Sequence, residues 1–219
     1  MRYLHVTESK VEKRFTVCYH GAEKKLFSSI KAGLSWPTSS SPGFYCLLGE
    51  EYRVPGRFEN PKAEKGKLIL LADHESKSPF PDKLFDPLTD DCTLFHCDSI
   101  YTDLKNHEGD VGIFRDWMYD KNMRVDLVEA PFSDSFGLGV SLIRRWADAS
   151  LLELPEGSLR EQLKKLTAAD LEESPETRFY AVNALRFVVS AFEKYRPPIH
   201  ISFNGHRVNN FGPTGWMLA

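Results

Sequence analysis

Two short runs hold residue types suited to gripping a nucleotide. His20 closes the β-branched and aromatic stretch 15–19 (FTVCY) and is followed by Gly21. A histidine at a strand end can bond a ribose hydroxyl, and a glycine beside it lets a ligand approach backbone atoms closely. A helix starting at residue 22 would add free N–H groups that favour an anion nearby. Gly43-Phe44-Tyr45 enters a second apolar run, and Tyr45 offers an aromatic face on which a nicotinamide ring could stack. An enzyme that breaks the nicotinamide–ribose bond must also stabilise an oxocarbenium-like sugar, the charge problem that glycosidases face.

The elements that must position these residues follow from periodicity. Strands are expected over 15–19, 44–48, 67–73, 124–128 and 199–203, where β-branched and aromatic residues cluster. Leu26, Phe27 and Ile30 stand at helical spacing, so 22–32 reads as a helix stopped by Gly33. Further helices are expected near 111–119, over 159–166 and over 176–195, the last with an apolar stripe that includes Val182, Leu185 and Val189. The segment 140–154 opens as strand or helix. The proline-bearing segment 74–93 and the segment 131–139 read as irregular. The class is therefore α+β, with a core over 1–155 and a helical extension over 156–219 packed on it as one globular unit.

Composition is that of an ordinary globular chain. Of 219 residues, 42% are hydrophobic and 27% charged, and the net charge of −3 gives no global footprint for nucleic acid or acidic membranes. No apolar run is long enough to span a bilayer. Cys18, Cys46, Cys92 and Cys97 have no secretory context, so a reducing cytoplasm, or delivery into a host cytosol, is expected. Cys92, His96 and Cys97 fit no standard zinc spacing.

The stretch FTVCYHGAEKKLFSSIKAGL resembles the strand, Tyr-His-Gly-Thr, helix and Gly pattern of diphtheria-toxin-like ADP-ribosyltransferases. SPGFYC is similar to that family's Gly-Phe-Tyr strand. MRVDLVEAPFSDSFGLGVSLIRRWADASLLEL is similar to its Pro-Phe strand end, catalytic strand and Trp block. The resemblance spans about residues 15–155. It implies two packed, mostly antiparallel sheets around an NAD cleft, with added C-terminal helices. It also implies NAD as substrate, no metal, and mono-ADP-ribosyl transfer to a protein acceptor. By the same resemblance His20 would bond the adenosine ribose, Gly21 the nicotinamide amide, and Tyr45 would stack on the ring. Gly33 would cover the adenosine side, and Phe58 would stand near the second stacking position. Three positions depart from the pattern. Ala22 replaces a threonine, Arg57-Phe58 a tyrosine, and Ser141 the glutamate expected five residues before Trp146. Loss of such a charge would slow the reaction by roughly two to three orders of magnitude.

Two alternatives stand beside this one. The first is a catalytically impaired module of that fold that binds NAD, a nucleotide or a protein partner. The second is a two-histidine phosphoesterase, because His5-Val6-Thr7 and His200-Ile201-Ser202 both fit the His-x-Thr/Ser pattern. The first predicts that His20 and Tyr45 share a pocket, and the second that His5 and His200 do.

Overall fold

Apolar alternation along the first third of the chain builds a meander of strands. In the computed structural model, residues 2–12, 15–52, 66–78, 82–171 and 178–193 are described. Strands β1 (Glu8–Glu12), β2 (Phe15–His20), β3 (Glu23–Ser35), β4 (Gly43–Glu51) and β5 (Leu68–Ser76) pair antiparallel in sequence order. Helix α1 (Asp82–Phe95) leads to β6 (Ser99–Thr102), and α2 (Glu108–Asp120) leads to β7 (Asp126–Glu129). β6 lies parallel to the C-terminal part of β3, and β7 parallel to β6. After α3 (Phe136–Asp148), the two-residue β8 (Leu152–Glu153) pairs parallel with β5. Helices α4 (Ser158–Lys165) and α5 (Tyr180–Phe192) complete the described elements, with one 3-10 turn at Ala169–Leu171 between them.

The result is one eight-stranded mixed sheet, not the two packed sheets expected. The helical crossovers explain the difference. Each returns the chain to the same end of the sheet, where β6 and β7 add in parallel beside β3. Helices cover both faces. Leu84, Phe85, Leu88 and Phe95 of α1 and Phe114 of α2 pack with Ile30, Leu34 and Leu47 on one face. Phe136, Ile143 and Trp146 of α3 and Val182, Leu185 and Val189 of α5 pack with Phe44, Leu48 and Leu70 on the other. Among the described residues no helix is long and apolar enough to cross a membrane.

Several local expectations change for identifiable reasons. Residues 22–32, read as a helix, belong to β3. A bulge between Phe27 and Ser29 inserts an extra residue, so Phe27 and Ile30 reach the same core although they are three apart. That spacing mimics a helix. The segment 74–93, read as irregular, contains most of α1, because the buried Leu84, Phe85, Leu88 and Cys92 outweigh Pro87 in its early turns. The doubtful segment after residue 140 is the helix α3. The strand expected over 199–203 lies outside the described residues. All four cysteines are free and buried, and burial pushes the Cys18 thiol up to about 11.

Arg2 and Tyr3 lie beside β5. Arg2 forms a bridge with Ala72, and the Tyr3 N–H donates to the Leu71 carbonyl. The arm's side chains meet two buried carboxylates. Arg2 Nε donates to Asp91 at 2.7 Å and the Tyr3 hydroxyl to Asp73 at 2.9 Å. Burial raises the Asp73 carboxyl above its ordinary range, although the Tyr3 hydrogen bond works against the shift.

Helix α5 crosses β3 where Gly33 leaves no side chain in the way. A Cβ built at Gly33 would lie 2.0 Å from the Ala184 carbonyl oxygen. Gly33→Ala therefore forces helix and strand apart and should cost about 1–3 kcal/mol or more. A urea titration would show this as a lower midpoint with an unchanged slope. Asp73→Asn tests the buried carboxyl. A raised folded-state pKa contributes stability below the unfolded value, about 3.9, and that contribution is lost as pH rises through the folded pKa. The wild-type protein should thus lose stability relative to Asp73→Asn between the unfolded and folded pKa values. Urea midpoints of the two proteins across that window give the check; parallel profiles would refute it.

Candidate functional site

In open sheets with parallel strands, ligands bind in the crevice outside the carboxyl ends of the strands, where the chain's connections diverge. Here that place lies at β3. The chain leaves β3 toward β4 on one side and later returns as β6 on the other. The carboxyl ends of β3, β6 and β7 bring together Ser35, Thr102-Asp103 and Glu129. Helix α5 adds Asn183 and Arg186 from above.

A polar chain runs from Ser35 through Asn183 and Arg186 to the β7–α3 turn and Glu129, while Thr102 and Asp103 bond separately. Asn183 Nδ2 donates to Ser35 Oγ at 3.2 Å, and Arg186 Nε donates to Asn183 Oδ1 at 2.6 Å. Arg186 is 1% exposed. Its two terminal nitrogens donate to the carbonyls of Phe132 and Ser133, at 2.7 and 2.9 Å. Its guanidinium also lies 4.5 Å from the Phe187 ring centre and 5.5 Å from that of Phe136. Ser133 Oγ donates to Glu129 Oε1, while Glu129 Oε2 accepts the Leu104 N–H at 2.8 Å. Thr102 Oγ1 ties β6 to the Leu34 carbonyl at 2.7 Å. Both carboxylate oxygens of Asp103 accept from Asn106. An open cavity of about 430 Å³ adjoins the end of β6, lined by Leu104, Lys105, Glu108, Val111 and Arg115.

The residues singled out from sequence take other places. His20 and Gly21 belong to the β2–β3 hairpin. His20 pairs with Glu23, and Gly21, with φ of 57°, fills the first position of a two-residue loop that favours glycine there. His20 Nδ1 contacts the His5 carbonyl, and the two rings share a small cavity with Tyr3, Cys18, Glu23 and Lys25. Tyr45 is buried on β4 and donates to Asp91 at 2.8 Å; burial and that carboxylate raise its pKa. It lines a separate cavity with Arg2, His74 and Asp90. Gly33 meets α5. Ser141 is exposed on α3, across the sheet from Tyr45, and donates back to the Gly137 carbonyl. Phe58 and His200 lie outside the described residues.

Sequence reasoning missed Asn183 and Arg186, which were absorbed into the apolar stripe of the last helix. A signal existed. Polar residues three apart on a helix that is otherwise buried need partners, and such partners mark a network.

No protein-family model and no curated protein matches the sequence. Solved structures do match the fold. The large terminase nuclease from the thermophilic phage G20c superposes with a TM-score of 0.53 at 8% identity, covering 86% of this chain and 94% of that one. The same nuclease with bound zinc gives 0.49 at 8% identity, over 87% and 94%. The fowlpox virus Holliday junction resolvase gives 0.37 at 10% identity, over 74% and 96%. The first likeness speaks for the fold alone, and the two below 0.5 carry no argument. It nevertheless replaces the ADP-ribosyltransferase expectation, because the described single mixed sheet resembles the fold of that structure and not two packed sheets. NAD as a metal-free substrate and a protein acceptor rested on the earlier fold and fall with it, and the setting aside of nucleic acid, which rested on the net charge, is overturned by the same likeness. The impaired-transferase and two-histidine phosphoesterase alternatives fall as well.

Proposed function

We propose that this chain acts on nucleic acid, binding the sugar-phosphate backbone along the crevice at the carboxyl ends of β3, β6 and β7. The observation that supports this most is the open cavity beside the end of β6, where Lys105 and Arg115 stand on a fold like that of a nuclease. Ser35 and Asn183, both buried, hold the end of β3 to α5 behind it. Lys105, 76% exposed and 3.9 Å from the Glu129 carboxylate, and Arg115 supply positive charge in the cavity, beside Glu108. Phosphate oxygens are met by such cationic side chains in most protein–nucleic acid contacts.

Cation-assisted cleavage asks for more. A metal centre in a nuclease needs converging carboxylates or imidazoles. Among the described residues no three His, Cys, Asp or Glu side chains converge on one point. The carboxylates of Asp103 and Glu129 instead hold the backbone beyond β6, and Glu129 also receives Ser133. These residues do not fit a cation pair, so backbone binding is the function the geometry favours over hydrolysis.

The test is fluorescence anisotropy with labelled single-stranded, double-stranded and branched DNA and with RNA, each with and without Mg²⁺ or Mn²⁺. Binding should weaken as salt rises, and Lys105→Ala with Arg115→Ala should lower the log–log salt slope by about one per lost phosphate contact. Absence of binding to every probe at low salt would sink the proposal. Divalent-dependent cleavage abolished by Asp103→Asn or Glu129→Gln would replace it with a hydrolytic function.

A further inference from the structure

The turn between β7 and α3 follows the carboxyl end of β7, and its backbone is not in a relaxed state. Phe132 has φ of 60°, a left-handed conformation that non-glycine residues adopt at a cost of order 1–3 kcal/mol. Such a turn persists only where its surroundings hold it. Two short-range bonds help: the Ser133 N–H donates to the Ala130 carbonyl and the Ser135 N–H to the Phe132 carbonyl. The remaining grip comes from a different element. Arg186, 54 residues further along the chain from Phe132, reaches across and binds two consecutive carbonyls of the turn with its two terminal nitrogens.

The way Arg186 is seated shows that this reach is built in. Its stem runs against Gly139 of α3, where a Cβ would lie 2.8 Å from both Cβ and Cδ of the arginine. Its planar face is flanked by Phe136 and Phe187. Its Nε is fixed by Asn183, which is itself fixed by Ser35. A rigid fork with five donors can hold both carbonyls and Asn183 at once, and a lysine cannot.

We infer that Arg186 is the positioning residue of the crevice: it holds the Phe132–Ser133 turn, and through Ser133 the Glu129 carboxylate, in register with Ser35 and Asn183. This rests on the backbone-binding function proposed above. The consequence is that the β7–α3 turn and the end of β3 move together, because one guanidinium connects them.

The experiment combines hydrogen exchange with nucleic-acid binding on the full chain. In Arg186→Lys, amides of residues 130–135 should exchange at least about tenfold faster while the protected amides of α5 stay protected, and affinity for the best probe should fall about tenfold, equivalent to 1.4 kcal/mol. Gly139→Ala, which crowds the arginine stem without removing it, should loosen the same amides. In Arg186→Ala, added ethylguanidinium should restore both turn protection and affinity; a residue that merely fills space would show no such rescue. Unchanged protection of residues 130–135 in Arg186→Lys and Gly139→Ala would overturn the inference, whether or not nucleic acid binds. A loosened turn with unaltered affinity would also overturn it. Failure of the wild-type chain to bind any probe would instead overturn the proposed function and leave the exchange result to decide the positioning role.

Discussion

The architecture turns on the close approach of α5 to β3. A helix laid on a sheet is normally held off by the side chains of both surfaces. At Gly33 the strand has none, and the backbone carbonyl of Ala184 occupies the space. The consequences spread to either side of that contact. Asn183 precedes Ala184 and Ser35 lies two residues beyond Gly33, so close packing places an amide within hydrogen-bond range of a strand-end hydroxyl. Three residues along the helix from Asn183, Arg186 comes within range of the β7–α3 turn. Polar groups at the crevice are therefore spaced by an apolar contact beneath them. Helix packing and site geometry are one constraint here, not two.

Burying a guanidinium is unfavourable unless its donors are satisfied. Arg186 has hydrogen bonds from all three nitrogens and aromatic faces on its flat surfaces. The second glycine contact, Gly139, gives the arginine stem room between α3 and α5. Both glycines are thus used for close approach and not for turning. The N-terminal arm uses similar chemistry at β5, with Arg2 on the α1 face and Tyr3 on the face that α3 and α5 cover. Arg2 and Tyr3 meet Asp91 and Asp73 there, two carboxylates that would otherwise be buried without these donors.

How much of this was legible in the sequence depends on whether the signal was local. The strands at 44–48 and 67–73 and the last helix announced themselves, because alternation and 3.6-residue spacing are written in adjacent residues. The helix expected over 22–32 was a strand because a bulge shifted the phase of its apolar face, and a bulge is set by pairing with β4, not by local preference. Pro87 concealed α1 because tertiary burial of Leu84, Phe85 and Leu88 outweighs one lost hydrogen bond. Tyr19-His20-Gly21 drew attention as a ligand grip, and its spacing equally suits a tight hairpin, which is what it forms. The candidate site was the least legible part. Ser35, Asp103, Glu129, Asn183 and Arg186 are spread over about 150 positions of the chain, and only the parallel return of β6 and β7 together with the packing of α5 on β3 brings them to one edge.

Sharing a fold with a nuclease does not confer a nuclease's chemistry, because chemistry resides in the groups a fold presents. Behind the strand ends the network centres on a neutral group, and the choice of Asn183 shows why. The side chain faces two neighbours with opposite needs. Arg186 Nε offers a proton and requires an acceptor, while Ser35 Oγ takes a proton from Nδ2. An amide supplies one acceptor and one donor and satisfies both. A carboxylate would satisfy the arginine better, but it would turn an acceptor toward Ser35, leave the hydroxyl to reverse its own bond, and place a further charge behind the strand ends. The network is balanced for an amide, and that balance keeps a further charge out of the buried layer between α5 and the end of β3.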